Sequence, residues 1–572
     1  MKITRVAAVM ALGILFTSAA FAQSEDDDFG TFEDVGTWDE DPFGSDDSFG
    51  SDDDFGSFDD NSFGSFDDDS FGSFGSFGED TSSSSSALTF SGDFSLDSRY
   101  YFAEEESDAF LAGLTSTTAA RIFDRNTKGE RVRFCDTTLK AIPRAKLGVN
   151  YSGSMSEASL TVKLTEQTLK DYHEDIIDEL VIRGYFLNNA LTIEGGKMKI
   201  VWGKGDKLHV LDNFNADDYT DFIIPDYIER RISTPMFRFV YSQPTASALT
   251  LEGVFTPFLP KDRFAEKDSI WIPAAYRTLA TSIKTIVATN VATGKMSLID
   301  AAQFDSEDLY PDVYNLKYAQ AGLRLTGTAS SFDWGVSYYY GHYKQPSANA
   351  EETVTMANLS TLLPAAMAAG NVAEVARLQK LYAKYTAKGI TLPTLEYDRK
   401  QTFGIEAATV LGRFNLRAEA AYNLTDDFSG TDPWVHNNSF GWLIGFDMDI
   451  PISNININVQ EIGNYILKND RITNGIFKTY DVDYNEKGRY TNDKFVINIS
   501  DSWMHDKLKP EITLLWGIET GDVVIQPKVA YNPTPELTLT LSGMYIYCRD
   551  EYSEFYEWKN NDFVNFGIRY QF

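Results

Sequence analysis

The last ten residues, Phe563 to Phe572, leave this chain few ways to fold. Val564, Phe566, Ile568, Tyr570 and Phe572 are apolar at every second place, and Asn565, Gly567, Arg569 and Gln571 between them are polar or small. A strand sends alternate side chains to opposite faces, so one face here suits hydrocarbon and the other water. Two settings accept such a strand: the edge of a soluble sandwich, and the wall of a transmembrane barrel.

The same alternation recurs from Ala87 onward, in about eighteen segments that fall into nine pairs. Leu88, Phe90, Phe94 and Leu96 share one face of the first, with Thr89, Ser91, Asp93 and Ser95 opposite. Phe440, Trp442, Ile444, Phe446, Met448 and Ile450 alternate without a break in another. Short, turn-rich connections such as Gly412-Arg413 and Pro451 to Asn454 take turns with long polar ones, among them Phe102 to Leu139, Lys204 to Thr234, Leu259 to Tyr314 and Lys344 to Pro393. A soluble all-β protein has no reason for that asymmetry, whereas outer-membrane barrels have short periplasmic turns and long external loops. Aromatic groups at strand ends, Tyr338-Tyr339-Tyr340 and Tyr545-Ile546-Tyr547, fit interfacial girdles. Beyond the N-terminus no apolar run reaches the roughly 20 residues a spanning helix needs, which excludes a helical membrane protein. The expectation is all-β: a single transmembrane antiparallel β-barrel of about 16–18 strands over residues 87–572. Two of its long connections carry helical periodicity, Pro273 to Val287 and a hairpin from Ala357 to Tyr385 broken at Gly370-Asn371.

Lys2 and Arg5 precede an apolar run, Val6 to Phe16, and Ala20-Phe21-Ala22 supplies a cleavage site, so residues 1–22 read as a secretory signal peptide. Residues 23–86 form an acidic tail of Phe-Gly-Ser and Asp runs, with about twenty acids and no Lys or Arg up to Asp80. That tail holds most of the net charge of −34 and too few aliphatic residues to order itself. It reads either as a solvated spacer or as a segment that binds a periplasmic partner; its Asp spacing lacks the glycine-centred order of a calcium loop. Cys135 and Cys548 leave a disulfide open.

With its alternating final strand ending in Phe572, the chain resembles bacterial outer-membrane β-barrel proteins, whose assembly machinery reads the last strand. The resemblance makes Phe566, Ile568, Tyr570 and Phe572 the assembly signal. It also implies the outer-membrane bilayer as surroundings, the tail in the periplasm, and a homotrimer or a monomer. Trp202-Gly203-x-Gly-Asp206 followed by Asp212-x-x-Asn215 resembles a motif of porin-like barrels related to alginate-export channels, over about thirty residues, and departs from it at Ala216. Such relatives imply a channel, and in general porins the third external loop folds inward to narrow it.

If the apolar parity faces lipid, the other faces the lumen. That inferred wall carries Arg144, Lys146, Lys163, Arg183, Lys197, Lys199, Arg238, Arg324, Arg417 and Arg569 as candidate pore-lining bases, against Glu194, Glu406, Glu419, Asp447 and Asp449. The excess of bases reads as a mildly anion-selective path, as Arg–acid pairing that stiffens the barrel, or as part of a lumen blocked by loops. The third long connection supplies candidate constriction residues, Asp206, Asp212, Asp217, Asp218, Asp221, Arg230 and Arg231; it either folds inward or stays outside. The five His residues fall in no catalytic or metal-ligand spacing, so neither an enzyme nor a metal or cofactor is expected, and nothing points to nucleic acid. The function expected is passive diffusion of small polar solutes, anions among them. The alternative is an adhesin or structural barrel whose loops seal the lumen.

Overall fold

A computed structural model describes residues 87–102, 140–243, 248–265, 269–304, 306–472, 475–484, 488, 490–550 and 552–572. The signal peptide, the acidic tail and Cys135 lie outside them.

Eighteen strands form one sheet. They are β1 (Ala87–Tyr101), β2 (Lys140–Ser152), β3 (Ser156–Thr165), β4 (Ile177–Phe186), β5 (Leu191–Met198), β6 (Thr234–Ser242), β7 (Thr250–Thr256), β8 (Gln320–Ala329) and β9 (Phe332–His342). Then follow β10 (Arg399–Leu411), β11 (Phe414–Leu424), β12 (Ser439–Ile450), β13 (Ile455–Ile466), β14 (Lys494–Ser500), β15 (Leu508–Gly517), β16 (Val523–Thr534), β17 (Leu537–Tyr547) and β18 (Phe563–Gln571). Each pairs antiparallel with the next, and β18 pairs with β1 from Tyr101–Phe563 to Asp93–Gln571, which closes the barrel. Closure removes the unpaired edges that hydrocarbon does not tolerate.

Alternation explains which way the wall faces. Phe90, Leu96, Ile182, Phe237, Leu323, Ile405, Ile444 and Phe566 are exposed on the outside, while Asp93, Glu194, Glu252, Glu406 and Asn458 are buried on the inside. At the seam Gly92 and Phe572 exchange both main-chain hydrogen bonds at 2.9 Å. The Phe572 ring covers Gly92, where a Cβ would overlap it, and stacks on Phe94 with centroids 6.0 Å apart. Phe566, Ile568, Tyr570 and Phe572 all lie on the exposed outer face.

Short turns join the strand pairs at one end of the barrel, such as 330–331, 412–413 and 535–536, and the long connections lie at the other. One connection there, 518–522, is short. The longest helices among the described residues are α1 (Ala274–Ala292), α2 (Leu359–Ala368) and α3 (Val372–Lys388). Gly370, at φ +64°, breaks the hairpin between α2 and α3. The Asn371 side chain then accepts from Glu374 N–H, a cap that contributes about 1 kcal/mol. Leu378 and Leu381 are the buried stripe of α3.

Candidate functional site: the lumen and the connection that crosses it

The wall charges form a ladder. Glu157 on β3 lies 2.9 Å from Arg183 on β4, and Arg183 also pairs with Glu194 on β5. Glu194 accepts from Arg238 on β6 at 2.9 Å, and Arg238 donates to Glu252 on β7 at 2.7 Å. Arg324 on β8 approaches Glu252 at 3.7 Å and Glu406 on β10 at 2.5 Å. The last step crosses β9, and Gly335 makes it passable: it stands opposite Glu406, whose side chain occupies the space a Cβ would need. Elsewhere Arg569 pairs with Asp93 across the seam, and Arg144 lies 3.7 Å from Asp97. Arg417 lies 2.8 Å from Asp447. Lys197 and Lys199 sit where β5 ends, paired with Asp175 at 2.8 Å and Asp178 at 3.4 Å. The base excess read from the sequence is therefore largely compensated. Glu157, Glu252, Asp93 and Asp97 belong to the inner face as well, and each sits on a base.

Residues 199–233, between β5 and β6, enter the barrel. Gly196 and Gly203 have φ of +144° and +119°, which suits glycine and turns the chain inward. A Cβ on Gly203 would overlap the Glu419 carboxylate. Glu419, on the inner face of β11, organises the first half of the connection. Its Oε1 accepts from Lys204 N–H and Gly205 N–H, both at 2.7 Å, and its Oε2 from Val210 N–H at 2.9 Å and Leu211 N–H at 3.3 Å. His209 Nδ1 lies 3.1 Å from Oε1. Converging main-chain N–H groups make an anion nest, here filled by a wall carboxylate.

Asn215 fastens the two ends of the connection together. Its Oδ1 accepts from Ile200 N–H at 2.9 Å, and its Nδ2 donates to the Met198 and Ile232 carbonyls at 3.0 Å. Beside it Phe214 is fully buried, edge-on to Trp202 at 5.0 Å and to Tyr339 at 5.1 Å.

The candidate constriction residues divide by partner. Asp206 bonds the wall directly, accepting from Arg417 and from Asn458 Nδ2 on β13 at 2.6 Å. Asp221 reaches the opposite side, where Arg99 of β1 donates to both its oxygens at 2.6 and 3.0 Å. Asp212, Asp217 and Arg231 meet within the connection: Arg231 pairs with Asp212 and lies 3.6 Å from Asp217. Asp218 turns to Arg263 of the next long connection at 3.2 Å. Arg230 donates to the Pro225 carbonyl at 3.3 Å. Burial, and then the Asp262 carboxylate, push the Asp217 carboxyl up to about 7. With Lys207 3.3 Å from Glu511 on β15, the connection touches β1, β11, β13 and β15 and so crosses the lumen.

Sequence reading passed over two parts of this arrangement. Arg99 shares the inward parity of Asp93 and Asp97, but it lies beyond Leu96, where the apolar face of β1 gives way to Ser98. The second part is an aromatic clasp at the long-connection end. Phe222 stacks on Trp271 with centroids 4.8 Å apart and meets Phe555 and Trp558 at 5.6 and 4.7 Å. It packs over inward-facing Tyr101, Met544, Ile546 and Phe563. Each such buried ring contributes about 2 kcal/mol, and no strand periodicity announces it.

No protein-family model matches the chain, and neither does any curated protein sequence. Among solved structures the chain is similar to the Salmonella typhi OmpF solved in complex with daunomycin, at 8% identity over 85% of this chain and 97% of that one, with a TM-score of 0.34. It is similar to OccK3 (OpdO) of Pseudomonas aeruginosa at 8% identity, over 84% and 95% of the two chains, with a TM-score of 0.38. It is also similar to the outer membrane channel DcaP of Acinetobacter baumannii, at 9% identity over 87% and 100%, with a TM-score of 0.35.

Proposed function

We propose that this barrel is an outer-membrane, porin-like channel for passive diffusion of small polar solutes, with residues 199–233 as its constriction. One observation carries the reading: a polar connection crosses a charged lumen and is tied to the wall on opposite sides, through Glu419 and Arg99. Barrels of 16–18 strands are wide enough for an aqueous path, and a fixed crossing segment narrows it without filling it by side chains alone. In this reading the C-terminal aromatic face is the signal for the barrel-assembly machinery, and the acidic tail hangs in the periplasm, as a spacer or as the contact for a partner there. The barrel works as a homotrimer or as a monomer in this reading.

The compensated ladder bears on selectivity. Paired charges contribute little net field along a pore, so a strong ion preference is not expected from the ladder itself. A mild anion preference would come from the basic stretch of β2 and β3.

The clasp around Phe222 supports a second reading, in which the connections seal the lumen and the protein is a surface-binding or structural barrel. Conductance of the purified, refolded protein in a planar bilayer separates the two. Stepwise openings with a weak ion preference, from reversal potentials in a salt gradient, are expected of the channel; a folded barrel that passes no current supports the sealed form.

A further inference from the structure

The inner faces of β2 and β3 set two lysines side by side. Lys146 and Lys163 stand directly opposite each other in the register, and Arg144 is the next inward residue along β2. Like charges directly opposite across a strand pair destabilise a sheet. The wall holds a second such pair, Glu406 opposite Glu419. There each carboxylate has strong partners, Glu406 through its Oε1 to Arg324 and Glu419 through the main-chain N–H groups of the crossing connection. The lysine pair has one direct contact: Glu229 of the connection lies 3.3 Å from Lys146 Nζ, while Asp93, opposite Lys146 on β1, pairs with Arg569. Among the described residues the Lys163 ammonium makes no hydrogen bond or ion pair. Asp178, the nearest wall acid, is taken by Lys199.

These residues line a cavity of about 160 Å³ between the connection and the wall, room for a few heavy atoms and water. Arg230 lines it too, with its Nε buried and unpartnered, and Thr165 and Gln167 add neutral donors. Burial opposes ionisation of Glu229, yet Lys146, Arg144 and Lys163 outweigh it and hold the carboxyl down at about 2. Asp175, Asp178, Asp218 and Asp221 line the cavity too, but Lys197, Lys199, Arg263 and Arg99 hold them; at the two lysines the negative charge present is the one borrowed from the loop.

We propose that the Arg144–Lys146–Lys163 cluster is a seat for a small carboxylate, that Glu229 occupies it in the empty protein, and that a solute carboxylate enters by displacing Glu229 and engaging Lys163. The role in transit rests on the channel reading; the seat itself does not.

The test is calorimetric titration of the detergent-solubilised full-length protein with succinate. A tethered carboxylate competes at an effective concentration in the millimolar range, so Glu229→Gln is expected to tighten succinate binding by about tenfold. Adding Lys163→Gln to that variant is expected to remove the gain. This second change should leave folding intact, since it relieves a like-charge pair; heat-modifiable electrophoretic mobility checks it. Glu229→Gln binding no tighter than the unaltered protein, or a double variant binding as tightly as Glu229→Gln, overturns the seat. Bilayer conductance of the same samples keeps the two ideas apart. Binding without current removes the channel and leaves the seat, and current without binding does the reverse.

Discussion

Glu419 gathers four main-chain N–H groups and an imidazole onto one carboxylate. Hydrogen bonds to a charged group contribute about 1.5–3 kcal/mol each, and buried donors left without acceptors cost a similar amount. Glu419→Ala is therefore expected to loosen residues 204–211, which keep the Asp206 and Lys207 ties to the wall, while the barrel stays folded. Single-channel records should show larger and noisier openings, and records like those of the unaltered protein would mean the nest does not hold the connection. Asp217 gives a pH dependence. Its carboxyl titrates near 7 in the folded protein and near 3.9 in an unfolded chain. Between those values the folded state binds the extra proton, so this contribution to stability is complete below about pH 4 and is lost as the pH rises through 7. The guanidinium unfolding midpoint is expected to fall between pH 5 and pH 8, and to fall less in Asp217→Asn.

At the scale of elements, the seam between β18 and β1 relies on an absent side chain. Gly92→Val keeps the main-chain bonding pattern but pushes the Phe572 ring off its neighbour. A several-fold lower refolding yield by heat-modifiable mobility is expected, with Ser91→Val, whose side chain points inward, as the contrasting variant. This seam was legible in the sequence, because strand periodicity is local and five apolar residues in alternation fix a face. The helical hairpin was legible for the same reason, through the stripe holding Leu378 and Leu381. The charge balance of the wall was not. Parity identifies inward residues only where a strand has been recognised along its full length, and β1 runs past Leu96 to Arg99 and Tyr101. Glu157 stands at the start of β3, where the apolar run has not begun and the residue reads as turn. The contacts of Glu419 with residues 204–211 span more than 200 positions of chain; no local pattern encodes such a pairing. The Trp202-Gly203-x-Gly-Asp206 stretch marked the place, and the structure supplies the reason: Gly203 admits the Glu419 carboxylate and Asp206 ties to β11 and β13.

For the whole molecule, the closed wall and the crossing connection depend on different interactions. The wall is held by strand pairing and by an outer apolar face; the connection is held by Glu419, Asp206, Asp221 and the clasp around Phe222. The connection can therefore be altered without opening the barrel. The central claim is that residues 199–233 set the size of the conducting path. The direct test compares single-channel conductance of the unaltered protein with that of a variant lacking residues 212–226, once heat-modifiable mobility shows both barrels folded. A clear rise in conductance on deletion is predicted. Equal conductance in the two proteins would contradict the claim and place the limiting section of the path elsewhere.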